Sequence, residues 1–370
     1  MEGRKSWSPG EFMPVLTPRV LPPNPPCDKP PQNGDHLMNE MSSPASTDSS
    51  TAVSRQDLEH HIAAAHARVT NPSEGIFGPD SITWRINRES ALFLGAGRAA
   101  LLQLAHPWVA TALDQHSSLL AKPIARFHNT FRVVFTMIFG TAPQANQAAR
   151  SLYQMHTRIT GELPSAVAGY AKNSRYEALQ VPALLWVYAT LIESAVIAYE
   201  SVLPPLRPDE LAAYYDESKI LAGLFGLSPS ALPADWSSFE RYVAEMCASQ
   251  SLGVSDRSRF VAQRIMSGAG SWIHIPRWYG SLTTEWLAPR FREEFGLTFG
   301  PAERTRSQRA QRFLPRVYAT LPSSMRYVGP FQEAQSRLAN RNPGLLARTS
   351  NQFWIGLPRM PFADQANGSR

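Results

Sequence analysis

The sequence predicts an all-α fold: a single multi-helix globular domain behind a disordered, proline-rich N-terminal tail. Three observations carry that prediction. Long runs at helical spacing follow one another between proline and glycine punctuation, and alternating strand-like runs are scarce. Prolines also fall where helices should start or stop, as at Pro107, Pro123, Pro143, Pro182 and Pro208. The chain has 370 residues, 43% of them hydrophobic, which is enough to bury a sizeable core.

Residues 1–54 read as the tail. Ten of the chain's 31 prolines lie in residues 1–50, followed by a Ser/Thr run from Ser42 to Ser50, with no apolar periodicity. Such a segment buries too little apolar area to offset its ordering entropy. No apolar stretch follows a basic start in residues 1–30, so no signal peptide is read there and the expected location is cytoplasmic.

The helical domain is expected over 55–350. Gln56 to Val69 forms the first helix, with Ile62, Ala65 and Val69 on one side. Pro72 to Asp80 is a turn-rich connection, and Asp80 or Ser81 caps the next helix. Helices are then expected over 90–105, 108–121, 124–139, 143–161, 181–203, 208–226, 236–252 and 256–268. A further one, with an arginine-lined face, begins near Ala302. Residues 351–370 read as an irregular C-terminal tail. Val181 to Tyr199 is apolar over nineteen residues but carries Glu193, so it reads as a buried central helix rather than a membrane span.

Composition removes several function classes. Two cysteines, Cys27 and Cys247, exclude a disulfide scaffold and any Cys-rich zinc or iron–sulfur module. The net charge of +6 is not evenly spread. Residues 1–50 hold four basic and six acidic residues, whereas residues 301–370 hold eleven arginines against Glu303, Glu333 and Asp364. The basic excess is therefore C-terminal, and Arg304, Arg306, Arg309 and Arg312 sit in no recognisable nucleic-acid module. No nucleic-acid partner is expected; a solvated face, or one drawn to an anionic membrane surface, fits better.

Gly95, Gly97 and Ala100 match a G-x-G-x-x-A pattern, and Asp114 lies nineteen residues after Gly95, as in a dinucleotide fingerprint. The context argues against it, because the would-be strand is four residues long and no β/α alternation comes after it. The competing reading is a helix whose small residues Ala91, Gly95 and Ala99 let a neighbouring helix approach closely.

Nine histidines are present, with no zinc-type HExxH spacing. His36 lies in the tail, His60, His61 and His66 on a polar helix, and His274 in an aromatic irregular segment. His106, before Pro107, is expected to end a helix and cap a carbonyl. His116 and His128 have polar neighbours. His156 differs: Ala148, Leu152, Met155 and Ile159 mark the inward face of its helix, and the ring lies at the edge of that stripe. A buried neutral histidine with a hydrogen-bonded nitrogen and a ligand to metal or haem iron are both open from these residues alone.

The order of motifs adds to this. Phe77-Gly78-Pro79-Asp80-Ser81 with Trp84-Arg85, then Leu94 through His106-Pro107, His116-Ser117, Arg126 to Thr130, His156 to Gly161 and Trp186 to Leu191 appear in turn along the chain. The series resembles the oxygenase family that contains the mycophenolic-acid-pathway prenyl-chain oxygenase and the catalytic domain of latex-clearing rubber oxygenases, over roughly residues 75–330. The resemblance implies an all-helical fold holding haem b, O2-dependent cleavage of an isoprenoid carbon–carbon double bond, and a hydrophobic substrate. Position by position, His156 matches the family's proximal haem ligand and therefore its metal-binding residue. Arg126 and Thr130 match an arginine and a threonine one turn apart on a nearby helix, and Arg326 matches a late arginine. Three positions depart: Asn129 stands where the rubber-cleaving branch has a distal lysine, Thr160 where many relatives have arginine, and Tyr188 where relatives have histidine.

Under that resemblance Asn129, Thr130 and Tyr188 are the catalytic candidates, placed to hydrogen-bond oxygen. Arg126, Arg158 and Arg98 are the candidates for haem propionates, against the plain alternative of ordinary ion pairs. The leading expectation is a haem b-dependent oxygenase acting on an isoprenoid or polyketide-like molecule. The alternatives are a non-catalytic helical binder of apolar ligands and a nicotinamide-dependent oxidoreductase using Gly95 and Gly97.

Overall fold

The computed structural model describes residues 52–116, 123–268 and 275–362. The expected tail, Ser117 and His274 lie outside them, except that the described residues begin at Ala52. The all-α reading holds: the described residues form helix after helix, and the one sheet among them has two short strands.

Helix α1 (Arg55–His66) opens on a capping box between Ser54 and Asp57 and buries Leu58, Ile62 and Ala65. Helix α2 (Ile82–Asn87) starts at Ser81, whose Oγ accepts the Trp84 N–H at 3.1 Å. Then come α3 (Leu92–Leu104), α4 (Pro107–His116), α5 (Pro123–Phe139) and α6 (Ala142–His156). The antiparallel pair β1 (Thr160–Glu162) and β2 (Arg175–Glu177) comes after them, with Gly161 opposite Tyr176. Next are α7 (Val181–Glu200), α8 (Pro208–Leu224), α9 (Trp236–Ala248) and α10 (Asp256–Ser267). The chain continues through α11 (Arg277–Glu285), α12 (Pro289–Glu294), α13 (Pro301–Thr320), α14 (Ser323–Arg326), α15 (Gly329–Leu338) and α16 (Leu345–Ile355). All five prolines singled out in the sequence sit in the first turn of a helix, where a missing N–H removes no bond.

Helix α7 is the axis of the core. It is the one described helix long and apolar enough to cross a membrane by length and composition, and 67% of that apolar window is buried inside the protein. Helix α3 lies against it at Gly95: a Cβ there would clash with the Ser194 carbonyl oxygen and sit 3.2 Å from the Ala198 Cβ. A Cβ at Gly97 would crowd Tyr279 and Thr283 of α11. The glycine pair thus serves close helix packing, which removes the dinucleotide reading, since no strand precedes it and no phosphate-binding turn exists there. Tyr279 fills the space it leaves. Its hydroxyl accepts the Gly97 N–H at 3.0 Å and donates to the Phe93 carbonyl at 2.9 Å, bridging one rung of the α3 ladder.

Helices α5 and α6 form a tight antiparallel hairpin. Gly140 and Thr141 make the turn, and Thr141 caps α6 reciprocally with Gln144. One face of α5 carries Phe127, Phe131 and Phe135 at i, i+4 spacing, which pack around Trp354 of α16 at ring separations of 5.6 to 6.1 Å. Helix α16 runs through residue 350, and the segment after it folds back, the Met360 N–H donating to Glu333 at 2.9 Å.

Candidate functional site

Arg126 lies fourteen residues before Gly140, and His156 lies fifteen after Thr141. Helices α5 and α6 pack on one another, and the Arg126 charge acts on the His156 ring. On α6 the buried stripe is Ala145, Ala149, Leu152 and His156, at i, i+4, i+7 and i+11, with both alanines fully buried. This corrects the expected stripe through Met155, which is 45% exposed. His156 itself is half-buried, between exposed Met155 and Thr157.

His156 is deep in protein mass, and burial together with the Arg126 charge pushes its pKa down to about 4. Its ring is therefore neutral at pH 7. Among the described residues neither ring nitrogen has a hydrogen-bond partner, and the side chain keeps solvent-reachable surface. Arg126 shares these traits: burial lowers its pKa, it is only half-buried by surface, and its guanidinium has no ion pair or hydrogen bond among the described residues. An unpaired guanidinium so placed calls for an anion.

One turn along α5, the Thr130 hydroxyl donates to the Arg126 carbonyl at 3.1 Å, leaving its lone pairs free. Asn129 shares the Arg126–Thr130–Val133 face and is exposed. The C-terminal end of α6 is steadied by β1 and β2, which the sequence did not reveal. His116 Nε2 meets the Thr160 carbonyl at 2.9 Å, the Tyr176 hydroxyl donates to Gln115 Oε1 at 2.6 Å, and the Ala178 N–H donates to the Ile159 carbonyl at 2.9 Å.

The other sequence candidates do not join this group. Arg98 is 4% exposed and fully engaged between helices, with Nη2 2.5 Å from Glu193, Nη1 donating to Ser194 Oγ at 3.0 Å and Nε to the Trp286 carbonyl at 2.9 Å. It ties α3 to α7 and to the end of α11, and has no nitrogen free for a propionate. Arg158 stands exposed in the turn after α6. Tyr188 has no accessible surface. Its hydroxyl lies 2.6 Å from Ser218 Oγ, and Ser218 donates to the Tyr215 carbonyl at 2.7 Å, so Tyr188 is the donor and its proton is committed to α8. Arg326 pairs with buried Glu89 at 2.7 Å.

A second neutral imidazole escaped the sequence reading. His106 is 1% exposed, burial pushes its pKa down to about 4, and its Nδ1 has no partner among the described residues. Its ring lies 5.8 Å from both Trp108 and Tyr170. Only the Ala-His-Pro context hinted at it. Unlike His156, it keeps almost no solvent-accessible surface.

Among the described residues no three His, Cys, Asp or Glu side chains converge on a metal position. A lone imidazole suffices for iron whose remaining protein-independent ligands come from a porphyrin, and a guanidinium without a partner among the described residues matches a propionate, so His156 and Arg126 fit haem. Fold and site together define an all-helical protein in which two successive helices present a neutral imidazole and an arginine that has no partner among the described residues. The chain belongs to the family described as "ER-bound oxygenase mpaB/B'/Rubber oxygenase, catalytic domain", whose model matches residues 83–320 and so takes in all of these residues. No curated protein and no solved structure matches the chain.

Proposed function

We propose that this member of the oxygenase family is a haem b-dependent enzyme that uses O2 to oxidise a hydrophobic isoprenoid or polyketide-like small molecule, with oxidative cleavage of a carbon–carbon double bond as the reaction class. The observation that carries the proposal is the neutral His156 ring acted on by the Arg126 charge, neither side chain having a partner among the described residues. His156 would ligate the haem iron and Arg126 would hold a propionate. Haem b, when bound, supplies the redox chemistry that activates oxygen.

The chain's own residues then have distinct tasks. Burial keeps His156 deprotonated and ready to ligate. Thr130 offers a hydroxyl acceptor and Asn129 an amide on the face of α5 that carries Arg126. Val133 of α5 and Leu152 of α6, both half-buried, pack against the core and give this part of the two helices an apolar character. Tyr188, held by Ser218, contributes to the core.

Haemin titration of the purified protein tests this reading. Wild type should give a saturable Soret band, His156→Gly should lose it, and added imidazole should restore it by filling the vacated position. A folded wild type that takes up no haemin yet binds terpenoids tightly would instead favour a non-catalytic carrier of apolar ligands.

A further inference from the structure

Helix α13 carries a surface strip that the oxygenase reading does not use. Arg309, Arg312, Phe313, Arg316, Val317 and Thr320 lie at i, i+3, i+4, i+7, i+8 and i+11, one continuous helical face, and all six are exposed. Phe313 is 54% and Val317 57% exposed. The opposite face is packed through Ser307, Ala310 and Tyr318.

The charges on this strip are uncompensated. Elsewhere on the helix Arg306 pairs with Glu303 at 3.2 Å, and beyond it Arg326 pairs with Glu89. Arg309, Arg312 and Arg316 have no acidic partner among the described residues; the Arg316 guanidinium lies 5.9 Å over the Phe313 ring. Glu303, in the first turn, is the helix's sole acid.

We infer that this strip docks the protein on an anionic lipid surface. A folded protein partner is a poor match, because a stable interface needs on the order of 800 Å² from each side with an apolar centre. Here one convex helix offers two apolar side chains among three cations. A bilayer asks for no shape complementarity: Phe313 and Val317 enter the headgroup boundary while the arginines, on long stems, reach outward to phosphates. Each basic residue near such a surface strengthens attachment by about five-fold, so the three together account for on the order of 100-fold. The inference is independent of whether haem is bound.

Co-sedimentation of the full-length protein with vesicles of phosphatidylcholine alone, or of phosphatidylcholine with phosphatidylserine, tests it. Wild type should bind only the anionic vesicles and be released by high salt. The triple variant Arg309→Gln, Arg312→Gln, Arg316→Gln should lose binding by on the order of 100-fold, and Phe313→Ser by several-fold, both with wild-type circular dichroism. Equal binding by wild type and triple variant, or no binding by wild type to anionic vesicles, overturns it. Duplex DNA bound as tightly as vesicles, with Phe313→Ser unchanged, assigns the strip to polyanions and also overturns it.

Discussion

Arg126→Met should stabilise the haem-free protein while weakening haem binding, an unusual pair of opposite signs. In the wild type the guanidinium sits deep in the hairpin with no anion among the described residues, and burial alone lowers its pKa. Replacing a half-buried, unpaired charge with a side chain of similar length removes its desolvation penalty, a gain of roughly 1–3 kcal/mol. At about 2–4 °C per kcal/mol for a domain of this size, Tm should rise by several degrees. The loaded protein loses a charge-assisted hydrogen bond of about 1.5–3 kcal/mol, so haemin should bind roughly 10- to 100-fold more weakly. Removing the positive charge should also let the His156 pKa climb from about 4, since Arg126 is one of the two causes of its depression. Differential scanning fluorimetry with and without haemin reads the first effect, and a Soret titration the second. A haem-free variant that melts several degrees below wild type would refute the reasoning, because that is how a partnered structural arginine behaves.

The same geometry sets other outcomes. Arg98→Met should lower stability by about 3–5 kcal/mol in urea unfolding, since it strands Glu193 in the core. Gly95→Ala should destabilise despite alanine's better helix propensity, because the opposing atoms at Ser194 are backbone and cannot move aside; Gly97→Ala, facing side chains of Tyr279 and Thr283, should be milder in the same melt. Tyr188→Phe should cost about 1 kcal/mol and leave the haem spectrum unchanged. His106 is held neutral in the fold but gains a proton near its ordinary pKa when unfolded. Its contribution is therefore present above about pH 6.5 and fades as pH falls toward 4, by roughly 3 kcal/mol in all. Tm should drop over that window, and His106→Gln should flatten the drop.

Much of this architecture was legible in the chain. Pro107, Pro123, Pro143, Pro182 and Pro208 each mark a helix start because proline's fixed φ and missing N–H suit that position alone. His156 stands out in the sequence and Arg126 through the family resemblance, yet the stripe that seats His156 reads there through Met155, since apolar character outranks the small alanines that actually face inward. Alanine tells little about direction until its neighbour is known. The engagement of Arg98 with Glu193 and Trp286, and the Tyr279 hydroxyl set into α3, are tertiary events between residues far apart in the chain, which no local pattern encodes. The strands β1 and β2 are three residues each, too short for an alternation to register.

The absorption spectrum of the purified protein, oxidised and then reduced with dithionite, tests the central claim most directly. The account predicts a Soret band that shifts on reduction in wild type, is retained in His106→Ala and is lost in His156→Ala. A folded wild type without haem absorbance even after haemin is supplied, or a band that survives in His156→Ala and disappears in His106→Ala, would contradict it.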